Sequence, residues 1–586
     1  MTAAESNTGK PRSVLACFSI FMLTLMCVLP FLSPYHMPPI ASFYNEWLAA
    51  LLAVFASLFL IGYRQEKLQI PLVTFVPLGL IVVLGLQVTL GGPDYWQNQF
   101  VAMLYLGLAA LLMVLAANLK HSLSLESIVP AIAWAFVIGA SIIMILLPIG
   151  KILPEENVFA KWILSGKSGN IGQVNHFSNY LALGLASLLY LKLTGRINTV
   201  MTLLISALIL IGFAQGGQRM AILYVILLSI GGWLLARTFS QNQTTAIKPI
   251  MLLWLIPAFI AAQFIVPLLA FLEPAKMPAE RLVQTMGTES SRLILVEQAW
   301  LLFKQHPWLG AGWAEFSWYN FSITESYPSL KGLWHHAHNL ILQLLAETGI
   351  VGALILTVGI LYWFREQFLS QMNAERWWLL ALLSVIGIHS MLEYPLWYMT
   401  FLAIASLLLG LGSERPLQVR FNLAPVFFLV IFIFSAWSLG SLQTSYHQLE
   451  TTLTSLREEG LPQSEIDKNL QKLYQLRENS VFTPIADNFL VRILPNQPGL
   501  IKDKLTISQQ VIENWPGRME TYTHAYLLAM NNKPVEAQQM IRMAIKQFPE
   551  YREAYHRYVL AQVVKKQQNA LLPILIILQD PHKPAE

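Results

Sequence analysis

Trp334-His335-His336-Ala337-His338-Asn339-Leu340-Ile341-Leu342-Gln343-Leu344-Leu345-Ala346-Glu347-Thr348-Gly349 runs without interruption from ionisable residues into an apolar segment that continues to about Phe364. Polar groups at the mouth of a membrane helix are costly unless they face protein, water or substrate. Asn339, Gln343 and Glu347 recur at every fourth residue and share one helical face, with His338 at its edge. The stretch reads as a membrane boundary at which something polar is handled.

The composition supports a membrane setting. Of 586 residues, 55% are hydrophobic and 12% charged, whereas a soluble domain carries roughly 25% charged residues. The fold class is therefore all-α: a polytopic bundle of about 13 spans, each of roughly 20 apolar residues. They lie near 14–33, 46–63, 71–90, 99–117, 127–149, 173–191, 197–215, 219–236, 249–272, 339–364, 377–393, 395–412 and 422–441. The first is read as an uncleaved span, for it is long and lacks a small-residue cleavage site. Lys and Arg gather in alternate loops, among them Arg64/Lys67, Lys192/Arg196 and Arg365/Arg376. By the positive-inside bias these are cytoplasmic. The N-terminus is then inside, and 34–45, 150–176, 215–219, 273–338 and 393–395 face the periplasm together with the C-terminus.

The same numbers exclude other classes. A net charge of +5, spread over loops, gives no basis for a nucleic-acid partner. Cys17 and Cys27 are the only cysteines, ten residues apart in one helix, so neither a mutual disulfide nor a thiolate metal site is expected. His336 and His338 are poorly spaced for two ligands on one helix face, and no metal is expected there.

Three units are anticipated: a membrane domain over 1–442, a large outer loop 273–338 within it, and a polar helical domain over 443–586. In the last, Pro516/Pro549, Glu520/Glu553, Tyr522/Tyr555 and Leu527/Leu560 repeat at an offset of 33 residues, as in a tetratricopeptide hairpin. So short an array needs support from the membrane domain or from further helices.

The outer segments hold the remaining chemistry. Arg292 opens an amphipathic helix whose apolar face is read as Leu293, Val296, Trp300 and Phe303. The turn His306-Pro307-Trp308-Leu309-Gly310-Ala311-Gly312 ends it. Tyr35 and His36 sit in a Pro-rich loop, and Gly169-Asn170-Ile171-Gly172-Gln173-Val174-Asn175-His176 is a helix entry suited to lining a polar cavity. Arg219 follows a Gly-Gly turn on the side where arginine is not expected. Glu393 and Tyr394 flank a Pro-marked turn. Snorkelling arginines and interfacial aromatic anchors are the plain alternatives for these last features.

His336-Ala337-His338-Asn339-x-x-x-Gln343-x-x-x-Glu347-x-Gly349, with Arg292 and the His306–Gly312 turn upstream, resembles the signature of the bacterial O-antigen ligase and polymerase superfamily. Pro34-Tyr35-His36-x-Pro38-Pro39 with Tyr44-Asn45-Glu46, the Gly169–His176 box and the helical tail look like its pilin-glycosylating branch, the PglL-type O-oligosaccharyltransferases. The resemblance implies metal-independent transfer, with no cofactor, of a glycan from undecaprenyl diphosphate to Ser or Thr of a periplasmic protein. It maps essential roles onto His338, Arg292 and Arg219. Arginine forks match phosphate oxygens, and an imidazole can orient or deprotonate a hydroxyl. Attack without a protein nucleophile predicts inversion. Donor or acceptor contacts are expected from Gln173, His176, Asn339, Gln343, Tyr35, His36 and Tyr394. A ligase acting on lipid A–core, an O-antigen polymerase, and a transporter of the lipid-linked glycan are the alternatives. A transporter would need mid-membrane polar residues and repeated halves, neither of which stands out.

Overall fold

The computed structural model describes residues 14–63, 66–152, 168–240, 246–268, 291–327, 329–330, 332–458, 460–496 and 499–580. Glu289, Ser290 and the loop residues 153–167 lie outside them. The chain is an all-α helix bundle, with one two-stranded sheet pairing Leu68–Ile70 antiparallel to Leu417–Val419.

Among the described residues ten helices, not thirteen, are long and apolar enough to cross a membrane. They are Val14–Leu32, Phe43–Ile61, Leu72–Thr89, Trp96–Leu123, Leu125–Gly150, Thr199–Gly216, Arg219–Phe239, Pro249–Leu268, Leu340–Phe368 and Ala424–Ser455. The other three anticipated spans form the helices Val174–Leu193, Ala374–Ser390 and Met399–Gly412. Two are short, Ala374–Ser390 with 17 residues and Met399–Gly412 with 14, and Val174–Leu193 carries polar side chains along its length. All three are interior: every residue from His176 to Leu193 is buried. An interior helix satisfies polar side chains against its neighbours. Trp378 Nε1 donates to Ser187 Oγ at 2.9 Å, and Tyr190 OH donates to Glu375 at 2.9 Å.

The bundle has two unlike ends. At one, Lys120 and Arg376 meet the Glu414 carboxylate at 2.8 and 2.9 Å, beside the small sheet. The chain emerges there as well, for Leu15 packs against Gly62. At the other end lie the described residues of the 291–338 segment and, after Ala424–Ser455, the C-terminal helices between Gln463 and Gln579. Tyr44 OH donates to Glu450 at 2.6 Å and Tyr95 OH to Asp487 at 3.0 Å. Asn98 donates to Asn514 at 2.6 Å. Phe321 of the outer loop is fully buried in one cluster with Tyr522, Tyr526 and Ile541. The C-terminal helices are therefore held to the rest of the bundle by packing and hydrogen bonds. The 33-residue offset brings its members into contact: Tyr555 OH donates to Tyr522 O at 2.9 Å.

One helix is oriented differently from the expectation. In Ser291–Gln305 the buried face is Ile294, Leu295, Gln298, Ala299 and Leu302, whereas Leu293 and Trp300 are exposed. Apolar residues occur around most of this helix, so periodicity alone selected the wrong stripe. Its core contacts include Phe316, Leu330 and Ala337 from the segment that follows it and Ala346 from the helix Leu340–Phe368.

Candidate active site

The helix Leu340–Phe368 is not continuous. Gly349 has φ +66°, and a Cβ there would collide with Trp308 O. The break admits the Pro307–Gly312 segment, which is laced to it by backbone bonds. Ala311 N donates to Ala346 O, Gly312 N to Glu347 O, Ile350 N to Pro307 O and Val351 N to Trp308 O, at 2.8–3.3 Å. Gln87 Nε2 reaches both Leu309 O and Glu347 O at 2.6 Å. The two glycine-bearing motifs of the sequence are thus the two sides of one joint.

Above the joint, polar residues of the opening stretch fix the backbone that carries His338. Asn339 is the N-cap, its side chain accepting from Leu342 N at 3.1 Å. Gln343 Oε1 accepts from the buried Ala337 N at 2.6 Å. The Glu347 carboxylate accepts from Phe316 N at 3.4 Å. The shared face predicted for these residues is real. In Asn339 and Gln343 the amide oxygens are engaged by protein backbone, while Gln343 Nε2 is buried without a hydrogen-bond partner.

His338 itself has φ +54°, a left-handed conformation unusual for any residue but glycine or asparagine. The turn aims its ring at Glu393. Nδ1 donates to His336 O at 2.9 Å, which fixes the tautomer, and leaves Nε2 facing Glu393 Oε2 at 3.4 Å. Glu393 Oε1 accepts from Arg292 Nη2 and from Asn175 Nδ2, each at 2.9 Å. Glu393 is 8% exposed and His338 11%, while Arg292 is 37% exposed and opens to solvent. Burial lowers the His338 pKa from its ordinary value, Glu393 and the His336 carbonyl oppose that, and Arg292 adds to it. His335 is held down to about 4 by burial, and His336 lies lower still. Of the three histidines, His338 alone has a carboxylate partner among the described contacts.

The structure thus brings His338, Arg292 and Tyr394 together. The Tyr394 ring lies 4.1 Å from His336 and 5.5 Å from His338. Arg219 stands exposed at the head of its helix. The turn before it packs Gly216 against Val174, Phe177 and Ser178, next to Asn175. Gln173, His176 and His36 line a cavity of about 790 Å³ beside this centre. His36 Nε2 donates to Asn170 O at 2.5 Å. Tyr35 does not line that cavity and instead packs 6.0 Å from Tyr44. The site set read from sequence lacked Glu393 and Asn175, the two residues that join the pieces. The signal for Glu393 was a carboxylate at a membrane-edge turn, masked by the aromatic anchors around it. Among the described residues no group of three His, Cys, Asp or Glu side chains is arranged to hold a metal.

Three families match parts of the chain: one described as O-antigen ligase over 201–357, one as protein glycosylation ligase over 169–191, and one as virulence factor membrane-bound polymerase, C-terminal, over 377–562. Two relatives come from Acinetobacter baylyi. A ComP-specific O-oligosaccharyltransferase is 27% identical over 385 residues, which is 64% of this chain and 68% of the relative. A general O-oligosaccharyltransferase is 26% identical over 437 residues, which is 72% and 74%. These matches bear out the resemblance to the O-antigen ligase and polymerase superfamily. With the ten apolar helices they support a multi-pass membrane protein.

Proposed function

We propose that this chain is an O-linked oligosaccharyltransferase that moves a glycan from undecaprenyl diphosphate onto a Ser or Thr hydroxyl of a periplasmic protein such as pilin. The observation that carries the reading is Glu393 shared between His338 and Arg292 at the mouth of a membrane helix. The acceptor hydroxyl docks on His338 Nε2 and attacks the anomeric carbon. The bond from that carbon to the diphosphate oxygen breaks, and its electron pair leaves with the diphosphate. The hydroxyl proton passes to Nε2. The imidazolium so formed is held between His336 O and Glu393, a charge-assisted pair. Arg292 and Arg219, both solvent-open at this end, receive the charge that develops on the diphosphate without a metal. Direct displacement inverts the anomeric centre.

The three interior helices are read as crossings, giving about 13 in all. Leu15 and Gly62 lie at the Glu414 end and Ala424–Ser455 ends at the His338 end, an arrangement that an odd number of crossings fits. Val174–Leu193, with 20 residues, spans about 30 Å at 1.5 Å per residue, one bilayer core. The basic loops put the Glu414 end in the cytoplasm of an inner-membrane protein. Residues 1–442 then form the membrane domain, with 273–338 its outer loop, and 443–586 a tetratricopeptide-like periplasmic unit.

The test combines purified protein, lipid-linked glycan and a pilin-like acceptor in EDTA, with His338→Ala and Arg292→Ala alongside. Glycosylated pilin is expected from the parent protein alone. Transfer to lipid A–core but not to pilin would replace this reading with the ligase. Undiminished transfer by His338→Ala would remove the site assignment.

A further inference from the structure

The cavity beside His338 is built from two parts of the chain. Its membrane-side wall includes His36, Asn45, Gln173 and Tyr398, and its other wall comes from the C-terminal helices through Asn488, Phe489 and Trp515. At about 790 Å³ it is within the range of small-molecule sites, roughly 300–1,000 Å³. Two features connect it to the catalytic centre. Trp515 stacks on His335 at 4.0 Å, three residues from His338, and Tyr398 stacks on Tyr394 at 6.1 Å.

We infer that this cavity holds the sugars of the donor glycan beyond the one bonded to the diphosphate, so that the C-terminal helices read the donor. The inference rests on the proposed reaction for its naming of the glycan. Gln173 Oε1 and one end of the Asn45 amide are buried without a partner, although both residues line the cavity. An orphaned amide end is expensive unless a ligand satisfies it, and a sugar hydroxyl both donates and accepts. Trp515, 48% exposed, presents a flat apolar face with a polar edge, the surface on which the C–H face of a pyranose packs. A peptide fits less well. No strand edge is present among the described lining residues to pair with an extended backbone, which is a common way of holding one.

The test is binding of the oligosaccharide released by mild acid from the polyprenyl-linked pool of the source cells, measured on full-length protein in detergent. Trp515→Ala and Gln173→Leu are each expected to weaken binding at least tenfold, and Trp515→Phe, which keeps an aromatic face, to retain most of it. A thermal melt of each variant controls for folding. Absence of binding by the parent protein, or equal binding by Trp515→Ala, would overturn the inference. So would finding that Trp515→Ala loses a pilin-derived peptide and keeps the oligosaccharide. If pilin transfer fails in the preceding assay while oligosaccharide binding depends on Trp515, the reaction falls and the glycan site stands.

Discussion

Arg292 and Glu393 are 101 residues apart in the chain and meet at 2.9 Å. The pair ties the outer loop to the turn after Ala374–Ser390, and the second carboxylate oxygen is turned to His338. The two partners act on the imidazole with opposite signs, and this makes the arrangement testable.

His338 must be neutral to accept a proton, so activity is lost as pH falls through its pKa. Burial has lowered that pKa, so the acid limb of kcat/KM is expected below the ordinary histidine value of about 6.5. Glu393→Gln removes a charge that raises the pKa and should move the limb to lower pH. Arg292→Gln removes one that lowers it and should move the limb to higher pH. Limbs that move together, or not at all, would remove Glu393 from the role of partner to His338.

Gln343 acts through the backbone. In Gln343→Met the buried Ala337 N–H loses its acceptor, at a cost of about 1–3 kcal/mol, and the turn holding His338 slackens. A tenfold or greater fall in kcat with little change in donor KM is expected. A rise in KM alone would place Gln343 among the ligand contacts.

Gly349→Ala places a methyl against Trp308 O in a left-handed backbone position. With ψ −167° the position lies in a region essentially reserved for glycine, at a cost of about 1–3 kcal/mol before the clash. A lower melting temperature in detergent is expected, with faster proteolysis of the 291–338 loop. Parent-like melting would show that the joint tolerates a shift.

Phe321→Ala hollows the cluster through which the outer loop grips the C-terminal helices. Deleting a fully buried Phe costs about 3–5 kcal/mol. Mild proteolysis should release the C-terminal helices from this variant sooner than from the parent protein.

The sequence and the structure agree where one residue type has one physical use. Arg292 and His338 stood out because ionisable groups at a membrane edge have few other uses, and they do converge. Asn339, Gln343 and Glu347 also accept from backbone N–H groups, a use of a polar face that spacing does not distinguish from ligand binding. Glu393 was noticed beside Tyr394 but left out of the site set, because Tyr394, Trp397 and Tyr398 look like ordinary interfacial anchors. What length and hydropathy did not show is that helices such as Val174–Leu193 are interior, with polar residues, His176 and Asn179 among them, set against other helices.

The joint at Gly349 limits how the enzyme can breathe. Four backbone bonds and Gln87 make the Pro307–Gly312 segment part of the membrane bundle. Opening it would mean unzipping a helix. On the proposed reaction, a long lipid-borne donor and a bulky acceptor must therefore pass around a fixed post.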